Sequence, residues 1–294
     1  MNSRITSLSP VRSILVPVDF SADSLHALNY AASLAFAISS RLHVCHIAPV
    51  SILISSKQGN NSDDVSGIAN DMMVKQQEIV DAVLKKYPGL KIDFSVSTGI
   101  VKDKILATAL GNHSDLIIMG THGASGWKEY VLGTNAEAIV QNAEIPVLVV
   151  PYSVKTIEFK KIAIATTFNA YDFQTLFQVT ELFKPFHPEI EVLHVEEKNE
   201  NATLIKLRDD FAKQVKSSIT YDKVKFKIVE SDDVYLAVHD FIKANNINIL
   251  VISSNRKNVF EQFTGRSFSK KMVFHTEVPL LIYHDHNKSS FPVF

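Results

Sequence analysis

The chain carries one strand pattern twice, and this duplication constrains its fold more than any other feature. Ile14-Leu-Val-Pro-Val-Asp-Phe20 is echoed by Ile162-Ala-Ile-Ala-Thr-Thr-Phe168 at an offset of 148 residues. Val44-Cys-His-Ile47 returns at the same offset as Val192-Leu-His-Val195. Leu116-Ile-Ile-Met119 and Ile145-Pro-Val-Leu-Val-Val150 return as Ile249-Leu-Val-Ile252 and Val278-Pro-Leu-Leu-Ile-Tyr283, now at an offset of 133. Coincidences of this length indicate an internal repeat of about 140 residues. The 15-residue difference falls mostly after the second strand, where residues 55–70 are rich in Ser, Asn, Asp and Gly. That stretch predicts a mobile loop.

Within the first half, short β-branched runs begin near Ile14, Leu42, Ile92, Leu116 and Val147. Between them lie longer stretches, Ser24 to Ser39, Met72 to Lys86, Lys102 to Asn112 and Asn135 to Asn142, which read as helices. The second places Met72, Gln76, Ile79, Val83 and Leu84 near one helical face. Strands without polar alternation, separated by helices, predict a parallel sheet covered on both faces. Ligands of such α/β sheets bind at the carboxyl ends of the strands, near the switch in strand order. The boundary between the halves is expected around Pro151 to Glu158, giving domains 1–152 and 153–294.

The 294 residues are 46% hydrophobic, enough for one large core or two ordinary ones. Thirty basic residues stand against 31 acidic ones, without a basic stripe, which argues against nucleic acid as the partner. The single cysteine, Cys45, sits in an apolar run and reads as a packed thiol. No run approaches the roughly 18 apolar residues of a membrane span. The first ten residues lack a basic region followed by a long apolar one. A soluble, cytoplasmic protein is expected.

Residues 116–136 carry the clearest chemical signal. The apolar run Leu116 to Met119 leads into Gly120, Thr121, His122 and Gly123; nine residues later come Gly133 and Thr134, followed by the helix start Asn135-Ala136. Glycines between a strand end and a helix N-terminus let the backbone approach an anion without Cβ interference. The first-turn N–H groups and the Thr134 hydroxyl would then face it, and phosphate is the obvious occupant. Asp19, at another strand's carboxyl end, is consistent with the same site, or caps the helix beginning near Ser21. His122 reads as a solvent-facing loop histidine. His46 and His194, at equivalent positions, read as architectural. His284-Asp285-His286 lies in a polar tail and is read as no metal site.

These residues resemble the universal stress protein family. Ile14 to Ser21 looks like the family's first strand and acidic loop. Gly120-x2-Gly123-x9-Gly133-Thr134 looks like the phosphate signature of its ATP-binding members, and Ile145 to Val150 like its last strand. The resemblance covers the chain twice, as in tandem members. It implies two Rossmann-like domains, each an open five-stranded parallel sheet flanked by helices. It further implies ATP, with Mg²⁺, in a cleft at the strand ends. By that analogy Asp19 bonds the ribose, Pro17 and Val44 lie near the base, and Met119 and Gly120 line the pocket. Gly123, Gly133 and Thr134 hold phosphates, with Asn135 and Ala136 next along the helix.

The second half departs from this pattern. At the matching offsets Gly120, Gly123 and Gly133 become Ser253, Arg256 and Arg266, while Pro17 and Asp19 become Ala165 and Thr167. Ser267 keeps the hydroxyl of Thr134, and Gly265 sits one position early. The second domain is therefore expected to lack the usual ATP site. No Gly-x4-Gly-Lys loop and no Gly-x-Ser-x-Gly elbow occurs, so no catalytic residue is assigned, and no enzyme activity beyond, at most, slow ATP hydrolysis is expected. The leading expectation is a stress-response protein that holds ATP in its first domain for sensing or regulation. The alternatives are a nucleotide-independent scaffold for protein partners or another small ligand, and a slow Mg-dependent ATPase. The fused halves favour an internal pseudo-dimer, and a homodimer of such chains is compatible.

Overall fold

The computed structural model describes residues 11–49, 63–121, 133–196, 202–255 and 277–285. They fall into two compact units that part between Ile157 and Glu158.

The first unit runs β1 (Ser13–Pro17), α1 (Ala22–Ala37), β2 (Arg41–Pro49), α2 (Asp63–Lys86), β3 (Ile92–Gly99), α3 (Val101–Gly111), β4 (Leu116–Gly120), α4 (Thr134–Asn142) and β5 (Val147–Val150). Its strands are parallel, in the order β3-β2-β1-β4-β5. The order reverses between β1 and β4: from β1 the chain steps to β2 on one side, while β4 pairs on the other. Ile14, Leu15, Val16, Ile117, Ile118 and Val147 to Val150 are fully buried. Continuous burial without alternation is what a sheet covered on both faces requires.

The second unit repeats this with β6 (Lys161–Ala165), α5 (Ala170–Phe183), β7 (Glu189–Glu196), α6 (Ala202–Ser218), β8 (Val224–Glu230), α7 (Val234–Asn245), β9 (Ile249–Asn255) and β10 (Leu280–Asp285). Its parallel order is β8-β7-β6-β9-β10. The expected pair of Rossmann-like α/β units, each with a five-stranded parallel sheet, is what the structure has.

Backbone detail repeats at the sequence offsets. The non-glycine residues with positive φ among those described fall into three pairs: Phe20 (64°) with Phe168 (63°), Ser39 (57°) with His187 (47°), and His113 (49°) with Asn246 (53°). The first two pairs keep the offset of 148 and the third that of 133. Asp115 accepts the N–H groups of Arg12 and Ser13 at 2.7 and 3.0 Å; Asn248 accepts those of Lys160 and Lys161 at 3.0 and 2.9 Å. Left-handed turns and side chains that pin a strand's first amides are costly to place at random.

One expectation needs correction. Residues 55–70 are not a loop throughout, because α2 begins at Asp63. Its opening, Asp63-Asp64-Val65-Ser66-Gly67, is polar and weak in helix propensity, but two acids suit a helix N-terminus. Residues 55–62 lie outside the described residues. Thirteen residues separate β2 from α2 and five separate β7 from α6, while α2 has 24 residues and α6 has 17. Loop and helix together account for the 15-residue change of offset. Along α2, Gln76, Val80 and Val83 are buried, with Met72, Ile79 and Leu84 partly covered beside them.

Candidate functional site

The crevice between β1 and β4 is built from short segments whose geometry is fixed locally. After Pro17, at the end of β1, Val18 donates its N–H to the Cys45 carbonyl at 2.8 Å and prolongs the sheet by one bond. The chain then turns through Asp19 and left-handed Phe20 into α1. Ser21 is the helix cap: its Oγ accepts the Ser24 N–H at 3.2 Å. Asp19 is exposed, and its Oδ1 accepts the Ser21 N–H at 3.0 Å. Asp19 therefore shapes the approach to the helix, while the cap itself belongs to Ser21.

β4 ends at Met119 and Gly120, both buried. A Cβ on Gly120 would stand 2.9 Å from the Asp23 carbonyl oxygen and 3.0 Å from its carbon. Glycine is thus demanded by packing: β4 runs directly onto the first turn of α1. Thr121 follows, 6% exposed, and its carbonyl accepts the Gly133 N–H at 2.7 Å. This bond ties the end of β4 to the start of α4. Two helix N-termini, those of α1 and α4, therefore meet beside the carboxyl end of β4 at the switch point of the sheet. Such termini carry unsatisfied N–H groups and partial positive charge.

The two termini differ. α1 is closed by the Ser21 side chain, whereas α4 has Gly133 at its cap position, with φ −61°, ψ 148° and no side-chain cap bond. Thr134 and Asn135 are exposed at the start of α4, and Ala136 is buried. Val44 is fully buried in β2, paired with Val16 and Phe94. Gly123 and His122 lie outside the described residues. Of the sequence-derived residues, Pro17, Asp19, Met119, Gly120, Gly133, Thr134, Asn135 and Ala136 come from segments that end or begin at this crevice.

Beside it, His46 donates from Nδ1 to the Val18 carbonyl at 2.8 Å, and the Phe20 ring packs on its imidazole at 4.3 Å between centroids. Lys75 of α2 lies over the other part of this stack, 5.5 Å from the Phe20 centroid. His194, Thr166 and Phe168 repeat the arrangement at 2.8 and 4.6 Å. The pair of histidines pins the first loop of each unit, an architectural role.

The second unit solves the same junction differently. Asp172, 1% exposed in the first turn of α5, accepts at Oδ2 from Thr166 Oγ1 (2.9 Å), Thr167 N–H (2.8 Å), Thr167 Oγ1 (3.4 Å) and Asn169 N–H (3.3 Å). Its Oδ1 accepts from Ser253, the counterpart of Gly120. Where the first unit brings bare backbone against helix, the second inserts a hydroxyl and a carboxylate. Asp172 was not visible as part of this junction in the sequence. An acid three residues after Asn169 signals only a capping box, which also forms. Arg256, Gly265, Arg266, Ser267 and His286 lie outside the described residues. His284 is buried on β10.

Among the described residues, no helix is long and apolar enough to cross a membrane.

Residues 10–151 match the universal stress protein family. A universal stress protein of Methanocaldococcus jannaschii is 27% identical over 139 residues, covering 47% of this chain and 81% of that protein. The crystal structure of a universal stress protein from Archaeoglobus fulgidus is similar over 93% of this chain and 98% of that one, with a TM-score of 0.69 at 19% identity. A Pseudomonas aeruginosa protein of unknown function is similar over 93% of this chain and 92% of its own, with a TM-score of 0.60 at 14% identity. Residues 10–151 therefore belong to the universal stress protein family, and the second unit repeats their fold.

Proposed function

We propose that the first unit binds ATP, with Mg²⁺, in the crevice between β1 and β4, and that the protein uses the bound nucleotide for regulation rather than rapid turnover. The observation carrying this reading is the glycine cap of α4. Gly133 supplies no capping side chain, is tied by its own N–H to Thr121, and leaves the first turn of α4 to face the end of β4. A phosphate suits such a helix start.

The residues present fit the group. Thr134 adds an exposed hydroxyl, and the N–H groups of Asn135 and Ala136 follow in the same turn. Asp19 offers an exposed carboxylate on the facing loop, suited to a ribose diol. Gly123 would complete the phosphate cradle. Met119, Pro17 and Val44 would supply the apolar side. Mg²⁺ would enter with the phosphates, neutralising their charge. The sequence holds no Gly-x4-Gly-Lys loop to set a lysine against a leaving phosphate, which favours holding over rapid hydrolysis. In the second unit, Ser253 and Asp172 put side chains and a negative charge at the matching junction, which disfavours phosphates there.

The deciding experiment is titration of the purified chain with Mg-ATP, combined with mass spectrometry of small molecules released on denaturation. One adenine nucleotide per chain is expected. Gly133→Val with Thr134→Val should abolish binding without changing the melting temperature. Absence of binding in the unaltered protein would overturn the reading.

A further inference from the structure

The first unit holds a second set of chemically coupled side chains, on β2 and β3, outside the nucleotide crevice. The register sets His43 opposite Asp93 and Cys45 opposite Ser95. His43 Nδ1 is hydrogen-bonded to Asp93 Oδ1, and His43 Nε2 lies 2.9 Å from Ser95 Oγ. The carboxylate only accepts, so Nδ1 carries the ring hydrogen, and Nε2 is left to accept the Ser95 hydroxyl. Nucleophile, base and orienting acid thus stand in the bonded sequence by which a serine is activated.

The surroundings fit. The His43 side chain is 10% exposed, so its ring is held in place, while Asp93 is 52% exposed and Ser95 is intermediate, open to a reagent. Phe20 and α2 pack towards His46, so strand alternation turns His43, with Asp93 and Ser95, to the opposite face of the sheet. β3 is the last strand of this sheet. Because Leu42 donates to the Lys91 carbonyl at 2.8 Å, the parallel ladder points the N–H groups of Asp93 and Ser95 at β2 and that of Val96 outward. Among the described residues no strand pairs beyond β3, so a backbone donor outside the ladder directly follows the serine, where an oxyanion could be met.

We propose that Ser95 is an activated nucleophile that takes acyl groups from small carboxylic esters, with His43 as general base and Asp93 as its positioning residue. Ser95 Oγ bonds to the ester carbonyl carbon while its proton passes to His43 Nε2. The carbon–alkoxide bond breaks, and the alcohol leaves with that proton. Water then attacks the acyl-serine, giving up a proton to His43, and Ser95 departs reprotonated with release of the acid. The second unit has Glu191, Lys225 and Lys227 at the matching positions and cannot do this.

A fluorophosphonate probe tests the assignment, since it bonds the same oxygen and expels fluoride. In the full-length chain the expected result is one phosphonyl group, mapped to Ser95 by peptide mass spectrometry and absent in Ser95→Ala. His43→Asn, checked for native circular dichroism, should label about 100-fold more slowly. Asp93→Asn should label more slowly, and Asp93→Glu, which keeps the carboxylate, should recover most of the rate, a rescue that a purely structural role for Asp93 would not give. Folded protein that gains no adduct at Ser95, or a His43→Asn variant that labels at the unaltered rate, would overturn it. Ser95→Ala should titrate with Mg-ATP as the unaltered chain does, which keeps this proposal separate from the nucleotide reading.

Discussion

Ser24 and Asp172 hold the same backbone position in the two units by different chemistry. Ser24 Oγ accepts the Asp19 N–H at 3.3 Å, and Asp172 Oδ2 accepts the Thr167 N–H at 2.8 Å. Acid and hydroxyl have changed places: an exposed loop carboxylate with a buried helix hydroxyl in one unit, a loop hydroxyl with a buried helix carboxylate in the other. Turning the acid inward lets one group satisfy five donors. It also withdraws the exposed acceptor that a sugar would need.

Asp172→Ala should therefore be far more costly than Ser24→Ala. Removing the carboxylate takes the shared acceptor from the Thr167 and Asn169 amides and from three hydroxyls, two of them on the buried Thr166 and Ser253, at a cost of roughly 3 kcal/mol. Removing the Ser24 hydroxyl strands one amide, at about 1 kcal/mol. Thermal melting with amide exchange over residues 166–172 and 19–24 measures both. Equal effects would refute the assigned role of Asp172.

Gly120→Ala should destabilise the first unit by about 1–3 kcal/mol, because the new methyl meets helix backbone rather than a side chain that can swing away. Gly120→Ser should fare no better. The serine of the second unit is accommodated by bonding Asp172, and the first unit has Ser24 there. Urea unfolding of the two variants against the unaltered chain decides this. A neutral Gly120→Ala would show that β4 and α1 can separate at little cost.

The strands were legible because burial on both sheet faces leaves uninterrupted apolar runs, and the repeat made each run count twice. Ile14 to Val16 and Ile162 to Ile164 need no tertiary information to be found. The start of α2 was hidden because Asp63 to Gly67 has loop composition, and only the structure shows it helical. The candidate site's framework was legible where one segment carries it, as with the strand end at Gly120 and the helix start after Gly133. It was hidden where it depends on register. Nothing in the spacing of His43, Asp93 and Ser95 reveals that β2 and β3 set them side by side.

Cys45 should be inert to thiol reagents in the folded chain. It is fully buried in β2, and burial pushes its thiol up to about 12, leaving almost no thiolate at neutral pH. Reaction with a disulfide reagent should be negligible under native conditions and should release one equivalent in guanidinium. Fast native labelling would mean that the β1–β2–β3 ladder opens readily.

His26 gives the first unit a predictable pH dependence. It lies on α1 against the edge of Tyr152, 5.5 Å between ring centroids, while Lys155 sits 4.3 Å above the Tyr152 ring. Burial, and then the charge of Lys155, lower its pKa from the ordinary 6.5; Asp23 and the Val154 backbone oppose them more weakly. A lowered pKa means that the folded state resists the proton which the unfolded chain accepts. Stability from this group is thus complete above pH 6.5 and is lost as the pH falls from there through the lower, folded value. His26→Gln should flatten the melting temperature between pH 7 and pH 5, while the unaltered protein declines over the same range. If the two curves stay parallel, the contact of residues 152–155 with α1 is not governed by His26.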